Sequence, residues 1–428
     1  MRGLVIAAPS SGQGKTVLTL GLLRAFRGRG LNIASGKSGP DYIDPAFHEA
    51  ATGRPCVTLD AFAADAAQLR ARAALQAPAD LLVVEGAMGL FDGAPSGGAV
   101  GEGAASQVAA ALGLPVVLVL DAARMGQTAG AIVAGLATWS QDIAVAGVLL
   151  NRVASARHET MLRQAIEPVC PVLGVIPRDG ALELPSRHLG LVQAAEMVEL
   201  EGFISHAGSV ISNHADLNAL INLAGILSVD HEVSRRLPPL GQHIAVARDE
   251  AFSFCYWHML QDWRAQGATL SFFSPLADHG PADDADAVFL PGGYPELYAG
   301  RLARAQGFHA GMARARSRDA CIYGECGGYM VLGESLVDES GTGHAMLGYL
   351  KLQTSFADRK RHLGYRHLIG QGSLRGAYAG HEFHYATTLK AVGEPLFQAT
   401  DGTGVQIEPM GLREDRVSGS FAHLIEPI

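Results

Sequence analysis

The eight residues Pro9-Ser10-Ser11-Gly12-Gln13-Gly14-Lys15-Thr16 stand between a short apolar run at 4–8 and a helix-compatible run at 17–26. A strand that enters a glycine-rich loop and leaves it as a helix is a phosphate-binding arrangement. Backbone amides surround phosphate oxygens, the lysine reaches the terminal phosphates, and the hydroxyl of Ser or Thr holds Mg²⁺. Pro9 replaces the first glycine of G-x-x-x-x-G-K-[ST], and the rest of the pattern is intact. Gly12, Gln13, Gly14, Lys15 and Thr16 are therefore candidate nucleotide-binding residues, and their context calls for an α/β fold.

The runs at 81–84, 116–120 and 145–150 are continuously apolar, as parallel strands buried on both faces must be. Right-handed crossovers would join them into one sheet. Glu85 directly follows the run at 81–84, which predicts a carboxylate at the carboxyl end of a central strand, facing the phosphate site as a metal ligand. Two loops supply further acids: Gly39-Pro40-Asp41-Tyr42-Ile43-Asp44-Pro45 and Gly86-Ala87-Met88-Gly89-Leu90-Phe91-Asp92-Gly93. Asp41 and Asp92 follow predicted strands on the ligand side of the sheet and are read as site carboxylates. Asp44 is read as a turn or cap residue. Lys37 either stabilises phosphoryl charge or a substrate carboxylate, or is a solvated surface lysine.

At 428 residues the chain is too long for one ordinary core, and 48% hydrophobic residues suffice to bury two or three. Between about 199 and 242 the pattern changes to a helix-like stretch at 215–227 and the turn-prone Arg236-Leu237-Pro238-Pro239-Leu240-Gly241. We therefore expect a first domain at 1–200, a linker region at 201–241 and a second α/β domain at 242–428. The net charge of −9 leaves no basic field for nucleic acid, and no long Lys/Arg run suits an anionic membrane. No apolar run approaches the roughly 20 residues of a membrane helix. Five dispersed cysteines without CxxC spacing argue against a disulfide framework or a structural zinc site. A soluble, cytoplasmic protein is the expectation.

In the second domain, Cys321-Ile322-Tyr323-Gly324-Glu325-Cys326-Gly327-Gly328 places Cys326 at the centre of G-x-C-x-G, after an apolar run and before a helix-compatible one. That is how a nucleophile elbow reads. The helix N-terminus behind the thiol is expected to lower its pKa. A cysteine nucleophile also needs a base and an oxyanion site. Gly292 and Gly293, after the run at 288–290, and Gly327 offer free backbone N–H groups. Among sixteen histidines, His423, His381 and His384 lie in suggestive contexts, and spacing does not choose among them. The other four cysteines are read as small core residues.

Together these residues resemble the cobyrinic or hydrogenobyrinic acid a,c-diamide synthases of cobalamin biosynthesis, over essentially the whole chain. The matching motifs are S-G-x-G-K-T at 11–16, G-P-D-Y-I-D-P at 39–45, E-G-x-M-G-L-F-D-G at 85–93, L-P-G-G-Y-P-E at 290–296, E-C-G-G-Y-M at 325–330 and H-E-F-H-Y at 381–385. The resemblance implies two tandem α/β domains, a dethiobiotin-synthetase-like P-loop domain followed by a triad-type (class I) glutamine amidotransferase domain. It implies Cys326 as glutaminase nucleophile and His423 as its base. It implies ATP as cosubstrate, with Asn151 near the adenine, and Mg²⁺ on Thr16, Glu85 and Asp41. Lys37, Tyr42, His381 and Glu382 are then substrate-binding candidates, and a homodimer is an assembly the resemblance allows. In relatives outside this branch a Glu stands two residues after the His. Here Ile425 occupies that position and Glu426 follows, so the third member is either absent or supplied by Glu426.

The implied reaction is amidation of the a and c carboxylates of a corrinoid macrocycle. ATP phosphorylates each carboxylate, and ammonia from glutamine, kept from water, displaces the phosphate. Amidation of another tetrapyrrole such as Ni-sirohydrochlorin, or further amidations of the kind cobyric acid synthase performs, would share the catalytic residues. The P-loop partitioning ATPases are a different class; they carry a signature Lys where Ser10 stands and have no glutaminase domain. A regulatory protein with a dead amidotransferase domain is a third alternative, against which intact Cys326 and His423 argue.

Overall fold

The computed structural model describes residues 1–95, 97–187, 190–227 and 232–428. It divides into two compact units, Met1–Ser234 and Arg235–Ile428. In the first, seven parallel strands run in the order β3-β2-β4-β1-β5-β6-β7: β1 (Arg2–Ala7), β2 (Ile33–Ser38), β3 (Val57–Leu59), β4 (Leu81–Glu85), β5 (Val116–Asp121), β6 (Val145–Val153) and β7 (Val172–Pro177). Their central members are buried along almost their whole length, which is why they read as unbroken apolar runs rather than alternating ones. The chain leaves β1 toward β2 on one side and later fills β5 on the other. The carboxyl end of β1 is therefore a topological switch point, where such sheets bind ligands. Helices α1 (Lys15–Gly28) and α2 (Asp44–Thr52) begin at this edge.

The expected linker at 201–241 is a correction. Most of it belongs to the first unit, whose boundary falls after Ser234. A helix at Leu200–His214 buries Ile204, Ala207, Gly208 and Ile211, a stripe of helical period whose small residues hid it from a hydrophobicity reading. The stretch at 215–227 is a short helix, Leu217–Leu223, followed by the strand Gly225–Ile226, which pairs antiparallel with β1 at Arg2 and Gly3.

The second unit holds a six-stranded sheet in the order Thr269–Phe273, His243–Ala247, Ala287–Leu290, Cys321–Glu325, Val417–Ser420 and Leu412–Glu414. The first five are parallel and the last is antiparallel. A separate antiparallel sheet contains Phe397–Asp401, His362–Gly370, Gly376–His384 and Ala422–Pro427. The chain passes from the first sheet to the second at Phe421, between Ser420 and Ala422. Among the described residues no helix is long and apolar enough to cross a membrane.

The helix at Leu200–His214 crosses α1 where Gly21 lets the backbones meet: a Cβ there would lie 2.5 Å from Ile211 Cγ1 and 2.8 Å from the Ala207 carbonyl oxygen. Gly21→Ala should gain about 1 kcal/mol in helix propensity and lose more to overpacking, for a net destabilisation of about 1–2 kcal/mol. Denaturant unfolding of the full chain measures it, and a stabilised variant would contradict this packing.

Candidate functional site

The phosphate loop is closed around its glycines. Gly14 caps α1 with φ 88°, and a Cβ on it would lie 2.3 Å from Asn151 Nδ2, so only glycine fits. Asn151 Nδ2 donates to the Gln13 carbonyl at 2.9 Å, and the Asp121 amide donates to Gln13 Oε1 at 2.8 Å. The ends of β5 and β6 thus hold the loop from below. Lys15 Nζ donates to the carbonyls of Ser10, at 3.2 Å, and Met88. Burial, with Lys37 adding its charge, lowers Lys15 to about 8 against the pull of Glu85 and Asp44. A cavity of about 600 Å³ adjoins Gly14 and is lined by Asp121, Asn151, Arg152, Arg178 and Asp179 among others. Asn151 therefore both braces the loop and borders the cavity.

Behind the loop lies a buried charge cluster. Lys37 Nζ is 2.5 Å from Asp44 Oδ2, 2.9 Å from Glu85 Oε1 and 3.9 Å from Asp41 Oδ2. Thr16 Oγ1 donates to Glu85 Oε1 at 2.7 Å and lies 3.4 Å from Asp44 Oδ2. His48 Nε2 meets Glu85 Oε2 at 2.8 Å, and Cys56 Sγ lies 3.4 Å from His48 Nδ1. Burial disfavours the charge on Glu85, but Lys37 and His48 outweigh it and hold the carboxyl well below its ordinary range. Burial also works against the Lys37 ammonium, yet Asp44 and Glu85 raise it well above its usual value. Asp44 itself is pushed up to about 7 by burial and by the charge on Asp41.

Four of the candidate residues take definite places. Lys37 is 3% exposed and no surface lysine. Asp41 spends Oδ1 on the turn, accepting from the amides of Ile43 at 2.8 Å and Asp44 at 3.0 Å, while Asp44, read as the turn residue, is the carboxylate turned in to Thr16 and Lys37. Asp92 is exposed and accepts from the Gly89 amide at 2.8 Å, closing its own loop. Tyr42 is half-buried. His48 escaped the sequence reading, although its i,i+4 spacing from Asp44 on α2 sets both on one helix face. A hydroxyl and two carboxylates within reach of one another are the hard-oxygen donors that Mg²⁺ takes, so Thr16, Glu85 and Asp44 fit that ion.

In the second unit Cys326 adopts φ 46°, ψ −103°, the strained geometry of a nucleophile turn. Its amide donates to the Ser420 carbonyl at 2.8 Å. A Cβ on Gly292 would lie 3.0 Å from His423 Nε2 and 3.3 Å from Cys326 Cβ, so the imidazole and the thiol flank one glycine. A Cβ on Gly327 would lie 3.0 Å from the Gly293 amide nitrogen, so the two glycines expected to supply oxyanion amides are neighbours. The expected lowering of the thiol pKa is corrected: burial, with Glu296 adding its charge, pushes the Cys326 thiol far up, and the bond from the Gly327 amide offsets only part of this.

The structure also separates the histidines. His381 pairs in register with His423 and is lowered to about 3 by burial and by His423. His384 is stacked between His362, at 4.7 Å, and Phe421, at 3.9 Å. Glu382 accepts from Arg366 at 2.7 and 3.0 Å and meets His384 Nε2 at 3.0 Å. Ligand-type atoms of His362, Glu382 and His384 lie within 4.8 Å of one another, but His384 and the Arg366 guanidinium already hold that carboxylate. Nδ1 of His423 lies 3.5 Å from Glu325 Oε2, a neighbour the motif reading passed over.

Removing the Lys37 cation should leave Glu85, Asp44 and Asp41 facing one another without it. Lys37→Met is expected to destabilise the first unit by about 3–5 kcal/mol, with millimolar Mg²⁺ recovering part of the loss. Thermal unfolding with Mg²⁺ and with chelator tests both parts.

Comparison with known proteins agrees with this division. Residues 4–192 match the CobQ/CobB/MinD/ParA nucleotide binding domain, and residues 243–426 the CobB/CobQ-like glutamine amidotransferase domain. A hydrogenobyrinate a,c-diamide synthase of Rhizobium meliloti (strain 1021) is 54% identical, covering 100% of this chain and 99% of the relative. Its namesake in Brucella anthropi is 51% identical, with 100% and 99% covered. That of Rhodobacter capsulatus is 50% identical, with 99% and 98% covered. With both domains present in order and half of all positions shared end to end, the chain belongs to the hydrogenobyrinate a,c-diamide synthase family.

Proposed function

We propose that this chain is an ATP- and glutamine-dependent ligase that amidates the a and c carboxylates of hydrogenobyrinic acid in cobalamin biosynthesis. The observation that carries the reading is one polypeptide with two complementary sites: Cys326 and His423 packed against the same glycine, Gly292, and a phosphate loop backed by Glu85. The names and end-to-end identity of the relatives support the cobalt-free macrocycle over cobyrinic acid.

At the first site glutamine binds beside Cys326, whose thiol proton passes to His423. The sulfur attacks the side-chain amide carbon, and the amides of Gly293 and Gly327 stabilise the oxyanion. His423 returns the proton to the leaving nitrogen, ammonia departs, and water hydrolyses the thioester to glutamate. The adjacency of Gly292, Gly293 and Gly327 to the thiol supports these roles. The high thiol pKa supports proton transfer in the substrate complex over a standing thiolate.

At the second site a macrocycle carboxylate oxygen attacks the γ-phosphorus of ATP, releasing ADP and forming an acyl phosphate. Ammonia then attacks the acyl carbon and phosphate leaves. A carboxylate is a poor electrophile, and converting its oxygen to phosphate supplies the leaving group. Lys15 and the loop amides around Gly12, Gln13 and Gly14 hold the phosphates. Asn151 borders the cavity beside the loop, which supports a place near the adenine. Mg²⁺, held by Thr16, Glu85 and Asp44, would neutralise phosphate charge. Lys37, fixed by Glu85 and Asp44, stabilises charge developing on the transferred group. Two rounds give the diamide.

The test is product mass and ADP release with hydrogenobyrinic and cobyrinic acids, for wild type and Cys326→Ala, with glutamine or ammonia. Wild type should form the diamide of hydrogenobyrinic acid in preference. Cys326→Ala should lose at least about 10³-fold with glutamine and keep the ammonia-supported rate. Glutamine-supported synthesis by Cys326→Ala would refute the thiol assignment, and preference for cobyrinic acid would refute the macrocycle.

A further inference from the structure

The proton transfers assigned to His423 require its ring to be held in one orientation and one tautomer, with Nε2 toward the thiol and a proton on Nδ1. Relatives elsewhere in the amidotransferase class keep a Glu two positions after the His for this task, where this chain has Ile425. The group that faces Nδ1 comes from the other direction along the chain. Glu325 Oε2 lies 3.5 Å from His423 Nδ1, and the two side chains are 2% and 1% exposed. The other oxygen, Oε1, accepts from the Leu424 amide at 3.1 Å and from the Tyr323 hydroxyl at 3.1 Å. One carboxylate oxygen is therefore pinned by the backbone next to His423 and by a residue of its own strand, and that leaves Oε2 directed at the ring.

The placement follows from the fold. Glu325 closes the strand Cys321–Glu325 and pairs in register with Ser420. Beyond Ser420 the chain leaves this sheet through Phe421 and enters Ala422–Pro427, so that His423 returns against the carboxylate whose strand partner lies three residues earlier. The residue after Glu325 is the nucleophile itself, Cys326. The rival carboxylate is Glu426, which is buried and lies beyond a β-bulge in the pairing with Ala379 and Gly380.

We propose that Glu325 is the positioning residue of the glutaminase half, holding His423 with Nδ1–H toward Oε2 and stabilising the imidazolium that forms when the Cys326 proton is taken. This rests on the thiol mechanism above. The 3.5 Å contact is longer than a made hydrogen bond in the resting protein, and catalytic contacts of this kind tighten once substrate is bound and the base is charged. Nucleophile and orienting carboxylate are then adjacent in sequence, and the base alone comes from afar.

Glu325→Gln keeps an oxygen for Leu424 and Tyr323 and replaces the acceptor facing Nδ1 with an amide. In the full-length enzyme it should lower kcat for glutamate release by about 10²- to 10⁴-fold, as expected when a histidine loses the carboxylate that sets its tautomer. KM for glutamine and the ammonia-supported rate of diamide formation should stay near wild type; a glutamate with a structural role alone would shift KM or the ammonia-supported rate as well. Glu426→Gln should leave kcat unchanged. Wild-type kcat in Glu325→Gln, or the loss appearing in Glu426→Gln instead, overturns the proposal. If Glu325→Gln also loses the ammonia-supported rate, Glu325→Asp decides: reduced kcat for glutamine with ammonia-supported synthesis intact upholds the assignment, and unchanged kcat overturns it. Cys326→Ala run in parallel keeps the two levels apart, because glutamine use by that variant defeats the thiol mechanism itself.

Discussion

A charge removed from water persists in a protein only beside its opposite, and both units of this chain are organised around that requirement. In the first, one ammonium, Lys37, sits among Asp41, Asp44 and Glu85. These side chains come from β2, from the loop that follows it, from the start of α2 and from the end of β4. The cluster therefore ties together the segments that must be fixed if a phosphate loop is to act on a precise partner. In the second unit, Arg366 and Glu382 play the same part across strands. Each pair is costly to assemble and more costly to break, so the polar groups that perform chemistry also limit how far the local fold can drift.

Most of the fold was legible because it is written in uninterrupted apolar runs. The central strands of the first sheet, and one of the second, fall where residues 4–8, 81–84, 116–120, 145–150 and 288–290 predict them. The helix at Leu200–His214 was not legible as part of the first unit, since its contact with α1 uses Ala207 and Gly208, residues that signal close packing rather than hydrophobicity. The antiparallel sheet of the second unit escaped for a related reason: its strand His362–Gly370 is half-exposed and rich in His, Arg and Gly, so its pairing, not its composition, makes it a strand.

The site was legible to the level of the motif and not beyond. Lys15, Thr16, Glu85 and Cys326 follow from glycine spacing and from strand ends. Which of the two aspartates in the loop after β2 turns inward depends on backbone direction: Asp41 caps the turn and Asp44, at the first position of α2, faces Thr16. His48 and Glu325 matter through contacts with Glu85 and His423, long-range neighbours that no local spacing encodes. The thiol pKa was misread for the same reason. A helix N-terminus favours a thiolate, but the helix at Gly327–Leu332 is short and Cys326 is 2% exposed, so loss of water outweighs the dipole.

The backbone at Cys326 has a positive φ of 46°, a region that disfavours any residue with a side chain by about 1–3 kcal/mol. Cysteine is therefore a poor tenant of its own position, and glycine would relieve the strain. On thermal robustness alone, glycine would be the better residue here. Among homologous chains, a glycine at this position would be the signature of a lineage that had stopped hydrolysing glutamine and had drifted toward a more stable fold.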